Sequence, residues 1–260
     1  MWRSLVAHLH GVQGVVGSNP ITPTNLITPL RLILIVFAIC LAQNVNAQHS
    51  VQNQTDTMAK RMQACTTCHG AQGVTSNQAY FPRIAGKPAG YLFNQLVNFK
   101  EGRRHYGLMV GMVEHLSDAY LLEMAQYFAA LDLPYAPPAP LKTTVSDATL
   151  QLGKTLVLQG DKTRNIPACT SCHGAAMMGV QPSTPALLGL PRDYLAAQLG
   201  AWQTGLRRAH SPDCMGRIAK LLTPTDIDAA SSWLASQPVP AFTKPAAGLP
   251  QPVSELCGGA

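Results

Sequence analysis

The 260-residue chain is poor in charged and aromatic side chains. Charged residues make up 12% and aromatic residues 6%, whereas apolar residues make up 47%. A chain of this composition can bury a core and is not expected to be disordered. The formal net charge is +6, from 19 basic and 13 acidic residues. The basic residues form no stretch interleaved with aromatic residues. The usual signature of a nucleic-acid-binding surface is therefore missing, and no nucleic-acid partner is expected.

Long hydrophobic runs are also scarce. Residues 32–42 form an apolar run of eleven residues, whereas a membrane span needs roughly 20. The run follows Arg31 and precedes Val45-Asn46-Ala47, an order typical of a secretory signal peptide cleaved after Ala47. A retained membrane anchor is the alternative. The mature protein is expected to be exported, and its net charge falls to +4 because residues 1–47 hold two basic residues and no acid.

Residues 1–29 show no apolar periodicity and make the predicted leader unusually long. Residues 17–24 back-translate to a sequence that resembles the T-arm of a transfer-RNA gene. We therefore hypothesise that the true translation start lies downstream of residues 1–25.

Strand-like alternation of apolar and polar residues is absent from the sequence, which predicts an all-α fold. Apolar residues recur at i, i+4 and i+7 in two equivalent sets: Leu92, Leu96 and Phe99, then Leu195, Leu199 and Trp202. A further apolar stripe runs through Leu121, Met124, Ala125, Phe128 and Leu131. Ser117 is predicted as the N-cap of that helix, and Thr223, followed by Pro224 and Asp226, as the N-cap of its counterpart.

The chain repeats itself. Cys65-Thr66-Thr67-Cys68-His69-Gly70 recurs 104 positions later as Cys169-Thr170-Ser171-Cys172-His173-Gly174. Aligning the two brings further pairs into register: Gly86 with Gly189, Tyr91 with Tyr194, Gln95 with Gln198, Phe99 with Trp202, and Gly102 with Gly205. The proline-rich segment 134–140 separates the halves. We therefore predict a leader (1–47), an N-terminal domain (48–133), a linker (134–147), a C-terminal domain (148–243) and a tail (244–260).

Each Cys-x-x-Cys-His sequence matches the signature for covalent attachment of a c-type haem. Cys65 and Cys68 in the first half, and Cys169 and Cys172 in the second, can form thioethers with the two vinyl groups of one porphyrin. His69 and His173 then lie beneath the ring, where the imidazole binds iron. A structural zinc site, a thioredoxin-like redox pair and a plain disulfide are the alternatives. Zinc favours cysteine pairs about 15–20 residues apart, whereas 100 residues separate Cys68 from Cys169.

A methionine is predicted as the second axial ligand of each iron. Met109 precedes Ser117 by eight residues, and Met215 precedes Thr223 by the same distance. The first window also holds His105, Met112 and His115, whereas Met177 and Met178 lie too close to His173 to reach the other face of the ring. Histidine–methionine ligation raises the redox potential relative to two imidazoles. Six-coordinate iron leaves no open position for oxygen, so the site is typical of an electron carrier.

With these residues the chain resembles the dihaem cytochromes of the c4 type, in the class I cytochrome c family. The resemblance covers residues 58–237 and includes two further elements of the first half, Phe81-Pro82-Arg83-Ile84-Ala85-Gly86 and Met109-Val110-Gly111-Met112-Val113 before Leu116-Ser117-Asp118. It implies two tandem class I cytochrome c domains joined by the proline-rich linker, with two covalently attached haem c groups. It also implies a periplasmic protein, soluble or peripherally membrane-associated, that carries single electrons and is not an enzyme. The implied partners are a quinol–cytochrome c reductase or a dehydrogenase upstream and a terminal oxidase downstream.

The second half departs from this pattern. The Phe-Pro pair becomes Thr184-Pro185, and the Met-x-Gly element becomes Met215-Gly216-Arg217. Two extra cysteines, Cys214 and Cys257, predict a disulfide in an exported protein, which would hold the tail beside the second haem.

Two basic pairs, Arg103-Arg104 and Arg207-Arg208, occupy equivalent positions in the two halves. They are expected either to contact haem propionates or an acidic partner, or to be ordinary cations at helix C-termini.

Two other functions remain open from the sequence. A dihaem oxidoreductase acting on thiosulfate or peroxide would require an iron without methionine or one bound by Cys214. A dedicated haem subunit of a dehydrogenase would act as a relay rather than as a free carrier.

Overall fold

The structure is a computed structural model that describes residues 56–75, 81–138, 144–241 and 243–249. The predicted leader and Cys257 lie outside these residues. All described residues belong to one compact unit. The first half contains α1 (Met58–Arg61), α2 (Gln63–His69), α3 (Ala89–Lys100), α4 (Gly107–Val113) and α5 (Asp118–Ala129). The second half contains α6 (Asp147–Gln159), α7 (Thr170–His173), α8 (Arg192–Gln203), α9 (Cys214–Leu221) and α10 (Pro224–Ser236).

The predicted helix starts are confirmed. The Ser117 hydroxyl accepts a hydrogen bond from the backbone N–H of Tyr120 at the start of α5. At the start of α10, Thr223 and Asp226 form a reciprocal capping box, with Pro224 in the first turn. Ser146 caps α6 as Ser117 caps α5, because its hydroxyl accepts a hydrogen bond from the backbone N–H of Thr149.

The two apolar stripes predicted in the first half meet in one core, and the second half has a core of its own. Leu92 and Phe99 of α3 are buried with Leu121, Met124 and Phe128 of α5. In the second half, Tyr194 and Leu195 of α8 are buried with Trp233 and Leu234 of α10. Each such side chain contributes about 1.5–3 kcal/mol through burial. The helical periodicity of the sequence therefore places the core of the first half. In the second half, Leu195 of the predicted stripe lies in the core, whereas Leu199 and Trp202 are only partly buried outside it.

The second half also contains a small sheet that the sequence does not predict. Strand β1 (Gly179–Val180) pairs antiparallel with β2 (Thr184–Pro185), and both strands are too short to show alternation. Ala246, in the predicted tail, pairs parallel with Val180, and its backbone N–H donates to the Gly179 carbonyl at 2.9 Å. The start of the tail is thereby fixed against the loop that follows α7.

The two halves contact each other through equivalent residues. Arg104 and Arg207 form an antiparallel backbone bridge just beyond α3 and α8. On either side of this bridge, the N–H of His105 donates to the Leu206 carbonyl at 2.9 Å, and the N–H of Arg208 donates to the Arg103 carbonyl at 2.7 Å. The interface therefore pairs each segment with its own repeat, as the two halves of a symmetric dimer would.

The beginning of the predicted linker is bound to the first half by Arg83. Its guanidinium donates to the carbonyls of Leu133 (2.6 Å) and Pro134 (2.8 Å), and it lies 3.9 Å from the ring centroid of Tyr135. These contacts satisfy the buried Arg83 with neutral groups rather than with a carboxylate.

The close contact between α6 and α10 generates a test of the fold. A Cβ atom at Gly153 would lie 2.1 Å from the Ala229 carbonyl oxygen, whereas a Cβ at Gly200 in α8 would meet no atom within 4 Å. Gly153→Ala should therefore lower the free energy of unfolding of the holoprotein by about 1–3 kcal/mol. Gly200→Ala is the matched control, and it should raise that free energy by up to about 1 kcal/mol because alanine favours a helix. Equal stabilities in denaturant titrations would contradict this packing of α6 on α10.

Candidate functional site

The two signature histidines are oriented by the same hydrogen bond. His69 Nδ1 lies 2.8 Å from the Pro82 carbonyl oxygen, and His173 Nδ1 lies 2.8 Å from the Pro185 carbonyl oxygen. A carbonyl oxygen can only accept, so Nδ1 carries the proton and donates it. Nε2 of each ring then keeps a free lone pair, which is the arrangement of a metal-ligating histidine. Burial lowers the pKa of both imidazoles, despite the opposing effect of the carbonyls, and so favours the neutral form.

The glycine after each histidine allows the chain to turn back toward these carbonyls. Gly70 ends α2 with a φ of 78°, and Gly174 ends α7 with a φ of 81°. A Cβ at Gly70 would lie 2.1 Å from the Val74 carbonyl oxygen. No other residue type fits that position, so the Cys-x-x-Cys-His-Gly repeat encodes the turn as well as the attachment site.

A cavity of about 540 Å³ lies beside the first signature. Cys65, Cys68 and His69 line it together with Met109 and Met112. Most of the remaining lining is apolar and comes from α3, α4 and α5, including Leu92, Phe99, Val113 and Phe128. This volume and lining are typical of a site for a large, mostly apolar cofactor. The residues present therefore fit a haem, with two free cysteine thiols that can form the thioether links and a free imidazole nitrogen for the iron.

The same cavity carries an excess of positive charge. Five cationic side chains line it: Arg61, Arg83, Lys87, Arg104 and Arg207. The described lining includes no aspartate or glutamate. Arg61 is exposed and pairs with Asp56, whereas Arg83, Lys87 and Arg207 are buried. Buried cations without counter-ions are strongly unfavourable. Their presence indicates an anionic group in the bound cofactor, and haem has two such groups in its propionates.

The second half contributes directly to this first cavity. Tyr194, Gln198, Leu206 and Arg207 lie in its lining. Arg104 and Arg207 both donate to Gln198 Oε1 at 2.8 Å, and Arg207 also donates to Gln95 at 2.9 Å and to the Tyr91 hydroxyl at 3.3 Å. Burial raises the pKa of Tyr91, but Arg207, Arg104 and Lys87 outweigh it and hold that pKa below its usual range.

The basic pairs are therefore split by the structure. Arg104 and Arg207 lie in the interface between the halves and line the cavity, and contact of this pair with haem propionates stays a prediction. Arg103 instead pairs with Glu101 and donates to Asn98, and Arg208 is exposed.

The predicted axial methionines differ in how the structure places them. Met109, in α4, is partly buried against the first core and lines the cavity that also contains His69. Met215 is the second residue of α9 and is partly exposed. Met177 and Met178 are buried in the second core with Tyr194 and Trp233. The assignment of Met109 and Met215 as ligands stays a prediction.

The alternatives to haem have little support in the site. Burial raises the pKa of Cys65 and of Cys172, and that of Cys169 to about 11, so these thiols are protonated rather than reactive thiolates. Within the described ranges, no group of three or more histidine, cysteine or acidic side chains could hold a metal ion such as zinc.

Cys214 is disulfide-bonded, which argues against its action as a thiolate ligand of iron. Its predicted partner, Cys257, lies outside the described residues, so that pairing remains a prediction.

Several functional residues were missed by sequence reasoning. The two acceptor carbonyls belong to Pro82 and Pro185, which follow Phe81 and Thr184 in the two halves. The sequence does not predict their role, because a backbone acceptor has no residue signature of its own. Lys87 had no signal, because only the fold buries it in the cavity lining.

Known proteins resemble this chain over most of its described length, although no protein-family model matches it. It is 39% identical over 176 residues to a "Thiosulfate dehydrogenase electron acceptor" of Thiomonas intermedia (strain K12), covering 68% of this chain and 79% of that protein. It is 33% identical over 172 residues to cytochrome c4 of Pseudomonas aeruginosa, covering 65% of this chain and 82% of that protein.

Two solved structures are also similar. Reduced recombinant cytochrome c4 from Pseudomonas stutzeri shares 30% sequence identity at a TM-score of 0.59, with coverage of 68% of this chain and 95% of that chain. The thiosulfate dehydrogenase TsdBA from Marichromatium purpuratum shares 32% identity at a TM-score of 0.57, and the match covers 67% of this chain. This chain spans only 36% of that longer chain.

These likenesses agree with the repeated attachment sequence, the helical halves and the oriented histidines. The chain belongs to the cytochrome c4-type dihaem family of class I c-type cytochromes, with two tandem cytochrome c domains and two covalently bound haem c groups, and it is an electron-transfer protein.

Proposed function

We propose that this cytochrome is a periplasmic carrier that accepts single electrons from a thiosulfate-oxidising dehydrogenase and passes them toward a terminal oxidase. The observation that carries this proposal is the 39% identity to a protein named as a thiosulfate dehydrogenase electron acceptor, of which this chain covers 79%. A second relative of the same name, from Stutzerimonas stutzeri (strain A1501), is 41% identical over 175 residues. Export to the periplasm is supported by the predicted signal peptide. No helix in the described part of the chain is long and apolar enough to cross a membrane.

The roles proposed for the site residues follow from their chemistry. Cys65 and Cys68 would hold the first haem through thioethers, and His69 Nε2 and Met109 would bind its iron. Cys169, Cys172, His173 and Met215 would hold the second haem in the same way. When bound, each haem supplies an iron that takes up and releases one electron. The chain fixes the imidazole orientation through Pro82 and Pro185 and excludes water with its apolar lining.

An exposed apolar rim around the first cavity supports docking of the electron donor there. Tyr106, Leu108, Met112 and Leu206 all line the cavity and are exposed to solvent, Leu108 to 67%. Apolar residues of this size, clustered at the opening of a redox site, are typical of a surface that a partner covers. The occupant proposed here is the thiosulfate dehydrogenase that donates the electron.

A dedicated haem subunit of a dehydrogenase is the second candidate. It is favoured by the likeness to TsdBA, in which a region similar to this chain is part of a longer dehydrogenase chain. Stable co-purification of the native cytochrome with a dehydrogenase would favour this alternative over a free carrier.

Replacing Met109 tests the ligand assignment. Met109→Ala should abolish the ferric charge-transfer band of one methionine–iron bond, while the haemochrome count stays at two per chain. The haem that loses its thioether should also show a lower redox potential, because sulfur ligation favours ferrous iron. Met112→Ala is the matched control, since Met112 lines the same cavity but is 47% exposed. Retention of both bands in Met109→Ala would refute Met109 as a ligand.

The same test applies to the second half. Met215→Ala should remove the other methionine–iron band, and Met178→Leu, a conservative change in the core, should leave it in place. If Met178→Leu lost this band and Met215→Ala kept it, Met178 rather than Met215 would be the ligand of the second iron.

The donor and its docking site are tested by stopped-flow reduction of the holoprotein with thiosulfate and a purified thiosulfate dehydrogenase. Leu108→Glu should lower the second-order rate of reduction about tenfold, because a charge in the covered rim must lose its hydration. Leu158→Glu provides a matched control, since Leu158 in α6 is 39% exposed and does not line the cavity. Reduction by ascorbate should be unchanged in both variants. Absence of any reduction of the wild-type protein would overturn the proposed donor, and equal effects of the two variants would overturn the docking site.

A further inference from the structure

The two halves differ at one buried position beside their interface. Gly86-Lys87-Pro88 precedes α3, and Gly189-Leu190-Pro191 precedes α8. Both glycines have a φ of 71°, so the two segments follow the same backbone path. Lys87 is 6% exposed and Leu190 is 7% exposed. The first half therefore buries an ammonium group where the second half buries an apolar side chain.

Lys87 lies among groups that do not neutralise it. It lines the cavity of the first attachment site, and its charged neighbours are the guanidinium groups of Arg83 and Arg207. Burial and these two cations lower the pKa of Lys87, and only the nearby Tyr91 opposes them. No hydrogen bond or ion pair joins Lys87 Nζ to another described residue. Asp132, which lines a second cavity with Lys87, pairs with Lys244 at 3.2 Å. A buried ammonium in such a site needs an anion to remain charged.

The neighbouring guanidinium groups have other partners. Arg83 donates to the carbonyls of Ala85, Leu133 and Pro134. Arg207 donates to Gln95, Gln198 and Tyr91. Unlike Arg83 and Arg207, Lys87 therefore depends on the occupant of the cavity for a hydrogen-bonding or charged partner. The anionic groups of haem c are its propionate carboxylates.

We propose that Lys87 forms an ion pair with a propionate of the first haem and raises the redox potential of that haem, while Leu190 gives the second haem no such charge. Reduction adds one electron, which the donor protein supplies, and neither makes nor breaks a bond in the chain. A positive charge close to the site favours the form that carries the additional electron. The inference goes beyond the proposed function, because it holds for any electron donor.

The test is a spectroelectrochemical titration of the holoprotein. Lys87→Met keeps the length of the side chain and removes its charge. One of the two redox waves should move to lower potential, with about a tenfold change in the reduced-to-oxidised ratio at fixed potential, or about 59 mV for a one-electron couple. The other wave should stay in place. Met109→His, which should lower the potential of the first haem, identifies the wave independently.

Three controls separate the ion pair from a structural role. Lys87→Arg keeps the charge and should keep the wild-type potentials, and Lys60→Met removes an exposed lysine of the first half and should move neither wave. Lys87→Gln is measured as well, so that one poorly folded variant does not decide the outcome, and the haemochrome count must remain two. Unchanged waves in the two neutral variants, or equal shifts of both waves, would overturn the proposal.

A second measurement distinguishes the propionate from an anion taken from solution. A second cavity, of about 290 Å³, is lined by Lys87 together with Arg83 and Lys244 and has room for such an anion. The wild-type potentials should not change when phosphate replaces chloride at constant ionic strength. A phosphate-dependent shift that disappears in Lys87→Met would assign the counter-ion to the solvent and refute the ion pair with haem.

Discussion

The hydrogen bond from each signature histidine to a proline carbonyl is the interaction on which both sites depend. It settles the tautomer, because the carbonyl accepts and Nδ1 must donate, and it leaves Nε2 as the ligand nitrogen. The bond requires the chain to reverse direction directly after the histidine, and Gly70 and Gly174 make this reversal in the left-handed region. The attachment sequence, the glycine turn and the acceptor carbonyl thus form one local unit, and this unit is present in both halves of the duplicated chain.

Around that unit, the first half relies on a cofactor to complete its interior. The first cavity is lined by the helices that also form the core, so the residues that stabilise the fold are those that would surround the haem. Domains of this size bury too little apolar surface to be highly stable alone. The interface between halves adds to this dependence, since Gln198 and Arg207 of the second half close the cavity of the first. Folding, cofactor retention and contact between domains are therefore coupled in this chain.

Local patterns in the sequence predicted the parts of the structure that are themselves local. The attachment cysteines and histidines, the apolar stripes of α3 and α5, and the caps at Ser117 and Thr223 each need only a few neighbouring residues. The acceptor carbonyls of Pro82 and Pro185 could not be predicted, because every residue has a carbonyl and only the fold selects one. The burial of Lys87 depends on the fold, and the hydrogen bonds from Arg207 to Gln95 and from Arg104 to Gln198 join residues about a hundred positions apart. The small sheet also escaped prediction, since two-residue strands carry no periodicity.

The comparison of the halves shows where a duplicated electron carrier can vary. The residues that join the two copies are kept as matched pairs: Tyr91 with Tyr194, Gln95 with Gln198, and Arg104 with Arg207. A change in either member would disturb its equivalent across the interface, because both arginines bond to the same glutamine oxygen. Lys87 and Leu190 lie beside this network without belonging to it. Substitution at that position can therefore alter the charge around one haem while the contact between domains is preserved. Two haems held by nearly identical frameworks need such a difference if electrons are to move in a preferred direction between them.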